Sequence, residues 1–320
     1  MFSQIFLLIY SCLLQTAWSW DGPPTPLGAM LANIAAPASY VDLSALGYWT
    51  GTTPFQASLR GNSVLSQTSS DLWQLGTSFS NTSFQSAIAL GGSGVNVPTN
   101  LWGADINASF QHKIADLKNN WGLLGSFGSD SDIPFNSIYE LDFQITGFYQ
   151  YPVDDLHSWF FFLNYSISRP FLPGVPLPGA GYLIVNPTEH YVLALGVPFF
   201  FKWDFIPQWT WSTSYFIPYS INSTVEYRFA PATKAFFSFQ WTTQSWFRAF
   251  RSDNLNRIIF DEKKLLTGVS KVFADSFFVS GSFGFAFDQQ LYEAHQQTLS
   301  PQSQFLPVNL LAQIEIAHRF

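Results

Sequence analysis

Charge is what this chain has least of. Asp, Glu, Lys and Arg make up 11% of its 320 residues, where a soluble domain carries about 25%. Much of the molecular surface must therefore be apolar. Long apolar runs are also missing. Beyond the amino-terminal stretch, no segment approaches the roughly 20 apolar residues of a membrane-spanning helix. Residues 191–201 come nearest, and Pro198 interrupts them. Cysteine is nearly absent. Cys12 stands alone, inside an apolar segment that reads as cleavable, so the mature chain is expected to have no disulfide and no thiolate metal site. Excess positive charge is missing too. The formal net charge is −7, which argues against nucleic acid as a partner.

What is abundant is aromatic. Phe (34), Tyr (13) and Trp (12) together form 18% of the chain. High apolar content without long apolar runs suits strands of which only alternate residues meet lipid.

The amino terminus reads as an export signal. Residues 5–14 are mostly apolar, and Ala17-Trp18-Ser19 offers small residues at the positions a signal peptidase inspects. Cleavage is expected after Ser19, although no Lys or Arg precedes the apolar segment. Residues 20–39, rich in Pro, Gly and Ala, read as a periplasmic leader. Residues 40–320 read as one domain with no internal repeat.

Period-two alternation then recurs. Tyr139, Leu141, Phe143, Ile145 and Tyr149 oppose Glu140, Asp142, Gln144 and Thr146. Trp209, Trp211 and Tyr215 oppose Thr210, Ser212 and Ser214. Val225, Tyr227 and Phe229 oppose Thr224, Glu226 and Arg228. Phe277, Val279, Phe283, Phe285 and Phe287 oppose Ser280, Ser282, Gly284, Ala286 and Asp288. A soluble sheet alternates in the same way, but the connections between these segments also alternate short and long, as in outer-membrane barrels. In the last eleven residues, Leu310, Ala312, Ile314, Ile316, His318 and Phe320 share one face. That arrangement resembles the closing strand of a bacterial outer-membrane barrel, where a terminal Phe helps the assembly machinery recognise its client. The expected fold is all-β, a transmembrane antiparallel up-and-down barrel of about 12 strands (10–14).

A family resemblance follows from Pro178-Gly179-Ala180-Gly181-Tyr182, Gly196-Val197-Pro198, Ser245-Trp246-Phe247-Arg248, Phe260-Asp261-Glu262-Lys263-Lys264 and Gly281-Ser282-Phe283-Gly284-Phe285-Ala286-Phe287-Asp288. These resemble an uncharacterised family of bacterial outer-membrane β-barrels defined by a domain of unknown function, over roughly residues 141–320. The pattern departs from that family at Phe260 and Lys264, where Tyr and Arg are expected. The resemblance implies a fold and a location, and no activity.

Enzyme chemistry finds little support. There is no Gly-x-Ser-x-Gly elbow, phosphate loop or His-Glu-x-x-His site. His157 and Ser158 are adjacent, so on a strand they face opposite ways. Of the other histidines, His112 ends a strand, His190 and His295 read as loop or rim residues, and His318 sits near the rim. Asp130-Ser131-Asp132 and Asp154-Asp155 carry the oxygen ligands calcium takes, but solvated loop acids are the expected reading. No cofactor or metal is expected.

By parity, Asp105, Glu140, Asp142, Glu226, Glu262, Asp288 and Glu315 are expected to line the lumen with Arg228, Arg248, Lys264 and Arg319. Seven acids against four bases give a mildly negative interior. Their role is either to brace the barrel through cross-strand ion pairs or to select ions. The expected function is a narrow porin-like diffusion channel, weakly cation-preferring and not an enzyme. Its expected partners are outer-membrane lipid and, through Phe320, the barrel-assembly machinery. A structural or adhesin-type barrel, a soluble aromatic-rich carbohydrate-binding protein and a barrel-embedded hydrolase are the alternatives.

Overall fold

Alternating sequences close into a ring in the computed structural model, which describes residues 39–48, 54–85, 88–90, 95–114, 119–169, 171–216, 220–274, 276–295 and 303–320. The expected signal segment, leader and cysteine lie outside these residues. The strands are β1 (Tyr40–Tyr48), β2 (Pro54–Gln67), β3 (Asp71–Phe84), β4 (Asn100–Ile114), β5 (Asn119–Ser131), β6 (Leu141–Pro152), β7 (His157–Ser166), β8 (Leu177–Asn186), β9 (Tyr191–Gly196), β10 (Phe199–Ile206), β11 (Trp209–Phe216), β12 (Ser220–Ala230), β13 (Thr233–Trp246), β14 (Arg257–Phe273), β15 (Phe277–Ala294), β16 (Gln304–Leu306) and β17 (Asn309–Arg319).

Each strand pairs antiparallel with its neighbours in sequence, and β1 pairs with both β2 and β17, so the sheet has no free edge. The three residues of β16 extend the β17 side of β15 across Pro307 and Val308. The barrel thus has sixteen strands, not about 12. Two causes account for the shortfall. In β1 and β2 aromatics are sparse, so the alternation there is weak. The apolar run 191–201 hides a hairpin, β9–β10, that turns at Val197-Pro198.

Side chains sort by parity. Leu43, Leu59, Phe79, Ile106, Phe127, Phe161, Phe237, Phe283 and Ile314 are exposed on the outer wall. Their sequence neighbours turn inward and are mostly polar or small. A soluble protein rarely exposes so continuous an apolar surface.

Connections differ at the two ends. At the end holding Tyr40 and Phe320, the links 68–70, 115–118, 153–156, 187–190, 207–208, 231–232 and 274–276 have two to four residues. Most links at the opposite end are longer, notably 85–99, 132–140, 167–176, 247–256 and 295–308. β15 continues to Ala294 before the last of these links begins. The wall is uneven: β9 has 6 residues and β10 has 8, while β14 has 17 and β15 has 18.

Candidate functional site

The lumen and its long-loop mouth concentrate the chemistry. Inward positions of β4, β5 and β6 bring Asp105, Asp130 and Asp142 together, with carboxylate oxygens within 4.8 Å of one another. Glycines make this possible. The Asp105 carboxylate lies where a Cβ at Gly128 would stand, and that of Asp130 where one at Gly103 would stand. Asp105 accepts from Ser78 Oγ at 3.1 Å, and Asp142 accepts from Ser168 Oγ. Such a set of oxygens is chemically able to hold a hard cation. Arg257 supplies opposing positive charge to Asp142 and Asp130.

A second polar group is fully buried. Glu262 accepts from Tyr48 Oη at 2.5 Å, pairs with Lys264 Nζ at 3.1 Å and accepts from Gln289 Nε2 at 3.4 Å. Asn309 donates to Gln289 at 3.2 Å. The set ties β1 to β14, β15 and β17 from inside. Lower on the wall, Glu226 pairs with Lys234 at 3.1 Å. This pair borders a cavity lined by Ser238, Ser280, Ser282 and Glu315. Buried pairs of this kind fix geometry more surely than they add stability.

At the long-loop mouth, the segment after β13 crosses the barrel. Phe247 N donates to Asp130 O at 2.7 Å, and Asp132 N donates to Phe247 O at 3.4 Å. This bridge joins β13 to β5, which stand eight places apart in a ring of sixteen. Ala249 N donates to Asp132 Oδ1 at 2.6 Å. Arg251 Nη2 donates to Tyr139 O at 2.7 Å, and Nη1 lies 3.7 Å from Glu140. Burial lowers the Arg251 pKa from its ordinary value while Glu140 opposes the shift, and a guanidinium stays charged under both. Arg257 donates to the carbonyls of Ile167, Ser168 and Arg169. The Phe247 ring is stacked by both guanidinium groups, Arg251 at 4.5 Å and Arg257 at 4.7 Å. Beside this strap, Ile88, Leu90 and Val97 of the 85–99 connection pack on Trp246, Ile258, Phe260, Leu291 and Leu306.

The expected lumen residues divide. Asp105, Asp142, Glu226, Arg228, Glu262, Lys264, Glu315 and Arg319 occupy inward parities. Glu140 is not on a strand. It closes a one-turn helix, Ile138–Glu140, and accepts from Ser137 N at 2.5 Å. Arg248 belongs to the strap and pairs with Glu293 at 3.1 Å. Asp288 is corrected to the outer wall. A register shift between Asp261 and Lys263 puts it at φ 48°, paired with the outward Lys263. Asp261 joins it there, accepting from Trp241 Nε1 at 2.6 Å. Phe320 is exposed at the short-loop rim, and its N–H donates to Ser39 O at 2.9 Å.

Sequence reasoning missed Asp130 as a lumen acid, and it missed Arg251, Arg257 and Phe247. The one signal available was Trp246-Phe247, two large apolar residues at the start of a polar loop. Of the loop acids, Asp132 is used by the strap, and Asp154 accepts from the backbone of Leu156 and His157 at 2.8 Å each. Ser158 bonds inward with Gln150 at 3.0 Å, whereas His157 turns to Asp154.

No family model matches this chain, and no curated protein matches it. Solved structures do. An outer membrane channel from Pseudomonas putida F1 is 8% identical with TM-score 0.38, covering 89% of this chain and 97% of that one. The toluene transporter TodX of Pseudomonas putida is 8% identical with TM-score 0.40, covering 90% and 91%. LpxR from Salmonella typhimurium is 8% identical with TM-score 0.33, covering 88% and 100%.

Proposed function

We propose that this chain is a bacterial outer-membrane barrel that lets small solutes diffuse through its lumen, with an external mouth gated by the 247–256 strap. The single observation that supports this most is the closed ring of sixteen strands with an apolar outer wall and a polar inner one. Rings of this size leave an aqueous interior unless something fills it. Charged residues facing lipid at the midplane cost about 2–4 kcal/mol for Lys or Arg, so the inner charges suit a wet lumen. With the termini on the periplasmic side, the short turns are periplasmic and the strap is external.

A weak preference for cations rests on Asp105, Asp130 and Asp142, because fixed acids in a narrow passage repel anions. Inward Arg60, Lys202 and Lys234 dilute the overall negative charge expected from sequence, so selectivity belongs to the trio. A structural barrel without transport is the second reading, favoured by the cross-mouth strap.

The test is refolded protein in planar bilayers, with a heat-dependent gel shift to confirm the closed barrel. Small, weakly cation-selective conductance is expected. A heat-shifting barrel that passes no ions, even after the strap is cut, would favour the structural reading.

A further inference from the structure

Six large apolar side chains are exposed on the connections at the long-loop mouth. Phe250 and Leu255 belong to the strap, and Ile133, Phe135, Ile138 and Tyr139 to the 132–140 connection. Phe250 is 84% exposed and Ile138 73%, and the other four are about half exposed. The two connections form one cap, because Ala249 and Arg251, on either side of Phe250, are bonded to Asp132 and Tyr139. Phe247, Ala249 and Arg251 are buried against the mouth, so Phe250 turns away from it. This cap is not part of the lipid-facing belt. On β13 and β15 the belt carries Phe237, Phe283 and Phe285. Toward the mouth the outer wall then turns polar at Lys263, Asp261 and Asp288. Asp261 stands four residues from the start of β14, so roughly 13 Å of strand separates this polar band from the strap.

We propose that this cap is the contact surface for a second copy of the chain, held in a facing membrane. The proposal rests on the membrane-barrel reading with the strap external, and goes beyond it. Three observations select this occupant. The first is shape: exposures as high as those of Phe250 and Ile138 belong to protruding side chains, whereas a pocket for a small solute covers its lining. The second is area. At about 200 Å² for a large side chain, the six present roughly 700 Å². That exceeds the largest apolar patch of a typical monomer, about 300–600 Å², and approaches the roughly 800 Å² per partner of a stable interface. The third is charge. Arg251 lies beside Glu140, Arg248 pairs with Glu293, and of the charged residues in the two connections only Asp253 is exposed. A face with so little charge meets its own copy without strong repulsion, and a two-fold contact uses the same patch on both sides.

Copies in one bilayer hold their caps side by side, so only copies in apposed membranes bury them face to face. Burial of the apolar side chains drives the contact. The barrel then ties two membranes together, a function separate from passage through its lumen.

Liposome clustering, followed by turbidity, tests the contact. Barrels that insert in either direction leave caps on the outside of every vesicle. Vesicles carrying the parent chain should cluster with one another and ignore protein-free vesicles. A basic variant, Phe250→Lys with Ile138→Lys, loses two central anchors and repels its own copy, so clustering should slow at least about tenfold. An acidic variant, Phe250→Glu with Ile138→Glu, should behave alike. Mixing basic with acidic vesicles should restore clustering, because facing charges then attract. Where a charged variant loses its heat-dependent gel shift, Leu255→Ser with Phe135→Ser replaces it and should slow clustering in the same way. Heat-shifting parent barrels that stay dispersed, variants that cluster at the parent rate, or basic and acidic vesicles that ignore each other overturn the self-contact. Capture of protein-free vesicles overturns it too, and assigns the cap to lipid. Absence of a heat shift in the parent chain overturns the barrel reading instead.

Discussion

Replacing Arg257 with Met should loosen the external mouth without unfolding the barrel. Arg257 donates to three carbonyls, of Ile167, Ser168 and Arg169, and stacks on Phe247 at 4.7 Å. It is 3% exposed, so water does not compete for these bonds. Losing each hydrogen bond from the charged guanidinium to these half-buried carbonyls costs about 1 kcal/mol, and the lost stacking about 1 kcal/mol more. The sum is about 4 kcal/mol, or an open fraction raised about a thousandfold. Trypsin reads this opening, because Arg248 and Arg251 lie in the strap. When reclosing is faster than cleavage, the rate follows the open population. Cleavage at these two bonds should therefore accelerate by two to three orders of magnitude, on the scale set by that energy. Arg228→Met, at the other end of the barrel, should leave the rate unchanged. The heat-dependent gel shift should persist in both. An Arg257→Met protein cleaved at the parent rate would show that the strap is held by its backbone bridge alone.

Other expectations follow from the same geometry. Ser131→Cys with Phe247→Cys should oxidise readily, because bridged residues stand within disulfide reach, and oxidation should abolish conductance that reductant restores. Neutralising Asp105 and Asp130 together to Asn should lower the cation-to-anion permeability ratio, measured as a reversal potential; Asp288→Asn, on the outer wall, should leave it unchanged. Phe320→Ala should reduce membrane-inserted protein far more than Phe216→Ala, read by outer-membrane yield; equal yields would make the terminal ring incidental. An epitope inserted at Asn254 should be reachable on intact cells, and one at Ala232 only after the outer membrane is opened. The reverse pattern would invert the barrel.

How much could be read in advance divides along physical lines. Alternation survives in sequence wherever one wall face is aromatic, so β6, β11, β12, β15 and β17 were legible. The hairpin β9–β10 was not, because residues 191–201 are apolar on both parities across the turn and show no clear period. Asp288 was misplaced because one extra residue in a strand reverses every side chain beyond it, and nothing local marks the shift. The acidic trio was visible only in part. Asp105 and Asp142 follow parity, but Asp130 read as a loop acid until β5 was seen to reach Ser131. The mouth was illegible for a different reason. Ala249 meets Asp132 from 117 residues away, and no periodicity encodes so distant a partner.

In the membrane setting proposed above, the uneven rim has a consequence for the surrounding lipid. A spanning strand needs about 9–11 residues, and β9 and β10 supply 6 and 8. About a third of the way round the ring, β14 and β15 supply 17 and 18. A bilayer sealed against both flanks cannot keep one thickness around the circumference. Beside β9 and β10 the acyl chains must shorten or splay, at a cost of fractions of a kcal/mol per Å. That cost is concentrated on one side of the barrel. Two copies in one bilayer would lower the total deformation by turning their short flanks toward each other, an attraction that needs no contact between proteins.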